Sequence, residues 1–120
     1  MSKKVLLCID DDHSGLLIRR MFLESQGYEV LIASRVADGF KLFEQEHVDA
    51  VVLDYSMPEM NGDKLAQAMK QRRPDVPIIL LSAFVTLPPE AMAHSDGYII
   101  KGDAPRKLLN AIDTLLKKAA

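Results

Sequence analysis

Asp10-Asp11-Asp12 close an apolar run, Val5-Leu6-Leu7-Cys8-Ile9, and a second apolar run, Ala50-Val51-Val52-Leu53, ends on Asp54. Two buried strands that both finish on acids bring several negative charges to one edge of a sheet. Carboxylates a few ångströms apart raise one another's pKa unless a cation lies among them. A hard divalent ion answers that repulsion, and Mg²⁺ binds through one or two carboxylates together with waters and phosphate oxygens. The acids therefore point to phosphate chemistry at a metal-binding edge. With the clustered acids repelling one another, Asp10→Asn is expected to stabilise the metal-free protein.

The remaining pattern says which elements must position these groups. Ile78–Leu81 and Tyr98–Ile100 are further apolar runs, expected as strands covered on both faces. Tyr28–Ala33 is a fifth strand, placed nearer an edge by Glu29 and Ser34. Between them, His13–Gln26 carries Leu17 with Met21 and Ile18 with Phe22 at helical spacing, and Gly27 follows as a stop. Val36, Phe40 and Phe43 mark a second helix, and Leu65 with Met69 a third that ends before Pro74. Leu108, Ile112, Leu115 and Leu116 form the last apolar stripe, entered through Asp103 and Pro105. Strands alternating with helices imply right-handed crossovers and a parallel sheet with helices on both faces. The expected architecture is one α/β domain over residues 1–120, a doubly wound five-stranded sheet. Ligands of such sheets bind beyond the carboxyl ends of the strands. Asp10, Asp11 and Asp12, Asp54, Ser82 and Lys101 all fall there.

Composition excludes other classes. The chain has 120 residues, 48% hydrophobic and 27% charged, which is ordinary for a globular domain with a real core. A net charge of −2 offers no footprint for nucleic acid or an anionic membrane, so neither is expected as a direct partner. Cys8, the single cysteine, sits inside an apolar run, as a small hydrophobe would, and rules out a disulfide scaffold. No apolar stretch approaches the roughly 20 residues of a membrane span. Lys3-Lys4 lead into a strand too short for a signal sequence, so a cytoplasmic location is expected.

At this point the chain resembles the receiver domain of bacterial two-component response regulators, of the chemotaxis-regulator type, over essentially its whole length. The resemblance rests on Ile9-Asp10-Asp11-Asp12, on Asp54-Tyr55-Ser56-Met57-Pro58-Glu59-Met60-Asn61-Gly62, on Leu81-Ser82-Ala83 and on Tyr98-Ile99-Ile100-Lys101. It implies a flavodoxin-like sheet of order 2-1-3-4-5 that takes a phosphoryl group onto Asp54. The donor would be a phosphohistidine on a sensor histidine kinase or a histidine phosphotransfer protein of a phosphorelay. The output would be regulation of a downstream protein target, without classical enzyme turnover. Carried over residue by residue, Asp54 is the nucleophile. Asp11, Asp54 and the backbone carbonyl of Ser56 hold Mg²⁺, and Asp10 binds it through water. Lys101 pairs with Asp54 and then with the phosphoryl group, Ser82 donates its hydroxyl to it, and Tyr98 is the switch aromatic.

Plainer roles compete for several residues. Asp12 precedes a helix and is expected as its N-cap. Gly62 is expected to serve a backbone turn. His13, His47 and His94 have no ligand spacing and read as surface residues. Three departures from the family pattern stand out. Gly102 follows Lys101 where receivers carry proline, so a trans peptide is expected there. The segment after Ser82 is short and holds Pro88-Pro89, leaving only Glu90–His94 for a fourth helix and a remodelled output face. Phe84 and Ser56 flank the site where water would attack, which favours a long-lived acyl phosphate. Residues Phe84–Ser95 are expected to be the most mobile segment. Two other classes remain open: a degenerate receiver serving only as a docking module, and a Mg²⁺-dependent phosphohydrolase. The first would have lost an acid, the hydroxyl or the lysine, and the second would carry an acid at the position of Ser56. The chain reads as a stand-alone receiver or as one excised from a longer protein.

Overall fold

In the computed structural model, which describes residues 2–84 and 86–119, five parallel strands run in the order β2-β1-β3-β4-β5. They are β1 (Val5–Ile9), β2 (Glu29–Ala33), β3 (Ala50–Asp54), β4 (Ile78–Ser82) and β5 (Gly97–Ile100). The helices are α1 (His13–Ser25), α2 (Val36–Gln45), α3 (Gly62–Arg72), α4 (Pro89–Met92) and α5 (Pro105–Ala119). This is the expected flavodoxin-like order with a shortened fourth helix.

Alternation along the strands builds two cores. Leu7, Ile9, Val51, Leu53, Ile78 and Leu80 meet Phe43 of α2 and Leu65 and Met69 of α3 on one face. Leu6, Cys8, Val52, Ile79 and Leu81 meet Leu16 and Leu23 of α1 and Leu108 and Ile112 of α5 on the other. Register then aligns the strand ends: Ile9 lies beside Leu53, Asp54 beside Leu81, and Ser82 beside Ile100. At the opposite edge, carboxylates serve the backbone. Asp49 accepts the Val5 N–H at 2.7 Å and Asp96 the Ile78 N–H at 2.8 Å, satisfying strand starts that lack a ladder partner.

Several local expectations need correction. The buried face of α1 is carried by Leu16 and Leu23, while Leu17 is exposed and Ile18 and Met21 are 69% and 70% exposed. Both stripes satisfy a 3.6-residue period, and the sheet selects the one flanked by Arg19. β5 is only partly buried at every position because it is an edge strand, as β2 is. Helix α4 starts at Pro89, where the missing N–H costs nothing, and stops at Met92, short of His94. Its end is closed by Ser95, whose N–H and hydroxyl both donate to the Met92 carbonyl. Val85, inside the segment expected to be most mobile, lies outside the described residues, as do Met1 and Ala120 of the expected 1–120 domain.

Glycines are used in two different ways near the strand ends. Gly102 has φ +93, a left-handed conformation that a side chain would strain, and every described peptide bond, Lys101–Gly102 included, is trans. Gly62 does not have positive φ. Its requirement is close approach: a Cβ there would collide with the backbone oxygen of Asp54, while its N–H donates to the Tyr55 carbonyl at 2.6 Å. Gly62→Ala must therefore push α3 away from the end of β3. We expect it to lower unfolding stability by about 1–3 kcal/mol, read from the urea midpoint. An unchanged midpoint would contradict this packing.

Candidate functional site

Asp10 leaves β1 fully buried, at 0% exposure, with its backbone N–H donating to the Ala33 carbonyl at 3.1 Å. Its side chain accepts the Asp12 N–H at 3.0 Å, so the chain folds back over the carboxylate as it enters α1. Asp12 in turn caps α1 by accepting the Gly15 N–H at 3.3 Å, the role expected of it. Asp54 ends β3 at 3% exposure and accepts the Ser56 N–H at 3.4 Å. Asp11, next in the chain after Asp10, is exposed.

Lys101 ties the edge together. Its backbone N–H continues the ladder to the Ser82 carbonyl at 2.7 Å, which fixes where the side chain departs. From there Nζ reaches Asp54 Oδ1 at 3.2 Å and Asp10 at 3.0 Å to Oδ2 and 3.2 Å to Oδ1. One ammonium thus bridges two buried carboxylates on neighbouring strands. A second cation, absent from the sequence-based assignment, joins it: Arg19 of α1 donates to Asp10 Oδ2 at 3.2 Å. The available signal was a charged residue lying on the same helix face as Leu16 and Leu23.

The two buried acids diverge electrostatically. Burial, then the charge of Asp10, pushes Asp54 up to about 6 against the pull of Lys101. Burial also opposes ionisation of Asp10, but the Asp12 N–H, Lys101 and Arg19 outweigh it and hold that carboxyl below its ordinary value. Lys101, despite its own desolvation, is held above the ordinary lysine value by hydrogen bonds and charge from Asp10 and Asp54. Cys8 is pushed up to about 12 by burial, which leaves it an inert hydrophobe.

The donor set fits a hard cation. Asp10, Asp11 and Asp54 each offer a carboxylate oxygen within 4.8 Å of the others. Ser82 is buried, and its Oγ accepts the Phe84 N–H at 3.0 Å, leaving its own hydrogen available to donate. Phe84 is 58% exposed and Ser56 is exposed. Tyr98 has its hydroxyl buried without a hydrogen-bond partner among the described residues. His13 and His47 are exposed, His94 is partly buried, and none of them joins the acids.

A family model, the response regulator receiver domain, matches residues 6–113. The chain belongs to this family. It is 33% identical to the transcriptional regulatory protein GlrR of Escherichia coli over 96% of its length, covering 27% of that relative. It is 31% identical to the response regulator SaeR of Staphylococcus aureus, covering 94% of the chain and 50% of the relative. The receiver thus spans about a quarter to a half of the curated relatives it matches. Among solved structures, a receiver domain protein from Methanospirillum hungatei superposes with TM-score 0.91 at 31% identity, covering 98% of this chain and 97% of the other. The response regulator TrrA of Thermotoga maritima, solved in complex with Mg²⁺-BeF, gives 0.88 at 26% identity over 93% and 98%. Receiver domains are regulatory phosphoacceptors of two-component systems, acting with sensor kinases and downstream targets, and are not enzymes in the usual sense. No helix among the described residues is long and apolar enough to cross a membrane.

The raised value of Asp54 has a stability consequence. Between the ordinary 3.8 and about 6 the native state binds more protons than the unfolded chain, so this group's contribution falls as pH rises through that window. Asp10 contributes with the opposite sign: its lowered value gives stability that is lost on acidification. The stabilising exchange therefore belongs at Asp54, not at Asp10. We expect Asp54→Asn to stabilise the metal-free receiver by on the order of 1–3 kcal/mol above about pH 6, with the gain vanishing below about pH 4. Thermal scans across pH that show the same gain at both ends would contradict the assignment.

Proposed function

We propose that this receiver is phosphorylated on Asp54 by a phosphohistidine donor, with Mg²⁺ as the cofactor. The observation that carries the reading is the bridging of Asp10 and Asp54 by Lys101 beside a third carboxylate, Asp11, with one oxygen of each acid within 4.8 Å of the others. An Asp54 oxygen attacks phosphorus in line, the phosphorus–nitrogen bond breaks, and the imidazole departs with its electron pair to leave an acyl phosphate on Asp54. With a value of about 6, Asp54 is mostly ionised at neutral pH and available as the nucleophile. Asp11, Asp54 and the Ser56 carbonyl would hold Mg²⁺ directly, and Asp10 through water. Bound there, the ion neutralises charge on the phosphoryl oxygens so that two anions can approach. Lys101 follows the charge from the carboxylate to a phosphoryl oxygen, and Ser82 turns its free hydrogen to another.

Switching would run from Ser82 to Tyr98. Movement of the hydroxyl towards the phosphoryl group loosens the end of β4, and the unpartnered Tyr98 hydroxyl has little to lose by changing its packing. The surface that reads the change is the one shortened at α4 and carried by the left-handed Gly102, which suits a protein partner of distinctive shape. A sensor histidine kinase or a histidine phosphotransfer protein is the donor class in this reading. The relatives named as transcriptional regulators are longer than the receiver, so any contact with DNA would belong to segments outside this domain.

Intact-mass measurement after incubation with acetyl phosphate and Mg²⁺ tests the proposal. Wild type should gain one phosphoryl group, and Asp54→Ala or added EDTA should abolish the gain. Labelling that survives Asp54→Ala would displace Asp54, inertness of wild type would favour a docking module, and turnover of small phosphate esters would favour a hydrolase.

A further inference from the structure

Arg19 is a charged side chain on the buried face of α1. Its side chain is 15% exposed, and its guanidinium donates to the same Asp10 oxygen that Lys101 approaches at 3.0 Å. Asp10 thereby collects two cations and a backbone N–H, while Asp54 holds Lys101 and a long contact from Ser56. Three carboxylates, Asp10, Asp11 and Asp54, face two cations, leaving one net negative charge. Without Arg19 the same cluster would carry two. The guanidinium also has somewhere to go. Arg19 lines a cavity of about 330 Å³ between α1 and the start of α5, walled also by Phe22, Ile99, Pro105 and Leu108.

We propose that Arg19 is a built-in counter-cation for Asp10, which competes with a divalent ion for the acidic cluster and sets how tightly the resting receiver binds it. The inference rests on the metal reading given above and goes beyond it by naming the residue that tunes the affinity. In the metal-free state the guanidinium offsets the repulsion between Asp10 and its neighbours. Once the ion is bound, the two positive groups repel, and the flexible side chain can withdraw towards the cavity. After phosphoryl transfer the balance shifts, because the dianionic phosphoryl group replaces the single charge of Asp54. Arg19 then offsets part of the added negative charge, against which its repulsion of the ion weighs less. The same side chain would therefore weaken metal binding at rest and favour the modified state. Arg19 acts through Asp10, as a positioning residue.

Calorimetric titration of the purified chain with MgCl₂ tests this in wild type, Arg19→Met and Arg19→Lys. Arg19→Met keeps an apolar stem beside the same cavity and loses the charge. It should bind Mg²⁺ tighter by roughly tenfold, with Arg19→Lys within about twofold of wild type. Equal or weaker binding by Arg19→Met would overturn the proposal, as would a Lys variant that behaves like Met. Should Arg19→Met fail to fold by circular dichroism, Arg19→Gln keeps a donor beside Asp10 without the charge and is read in the same way. Absence of binding in every protein, wild type included, would overturn the metal reading and the competition together. Binding by all with one constant would overturn the competition alone.

Discussion

A single ammonium held between two buried carboxylates is the interaction on which the site depends. Asp10 and Asp54 end adjacent strands of a parallel sheet, and register gives them no freedom to separate. Burying two anions side by side is costly unless each is paired and hydrogen-bonded. Lys101 supplies the pairing from β5, two strands away from β3, which is why the backbone leaving β5 matters so much. Gly102 in its left-handed conformation turns the chain immediately after that lysine. The peptide there is trans, so this receiver positions its lysine without the proline usual in the family.

The two edges of the sheet show the same residue type in opposite service. At the amino edge, Asp49 and Asp96 accept strand N–H groups and are stabilising in an ordinary way. At the carboxyl edge, Asp10 is compensated twice over, whereas Asp54 is left under-compensated and pushed up to about 6. That asymmetry separates a firmly ionised acid from one that burial holds closer to its neutral form, the proposed phosphoacceptor Asp54. Its partial compensation leaves Asp54 the less firmly held of the two anions, while Lys101 lies within reach of both.

Much of this was legible in the residues before any coordinates. Apolar runs ending on Asp10 and Asp54 placed the strands, and acids, hydroxyl and lysine at strand ends placed the site. Pro88-Pro89 foretold the short α4, and Gly102 the trans peptide. Three things were not legible. Leu17, Ile18 and Met21 repeat with a helical period as well as Leu16 and Leu23 do, and only the sheet packed against α1 decides between them, with Phe22 of the expected stripe packing against the core as well. The reason for Gly62 is a close approach to the Asp54 carbonyl, a contact across the β3–α3 turn rather than a dihedral preference. Arg19 read as one more surface charge because its partner, Asp10, is fixed by tertiary geometry.

Burial and the charge of Asp10 leave Asp54 reluctant to ionise, while the Asp12 N–H, Lys101 and Arg19 keep the adjacent Asp10 firmly ionised. Side-chain carboxyl carbon resonances, followed through a pH titration of the metal-free protein, measure this directly. Asp54 should titrate at about 6 and Asp10 below the ordinary carboxylate range. Two resonances moving together near the ordinary carboxylate value would contradict this.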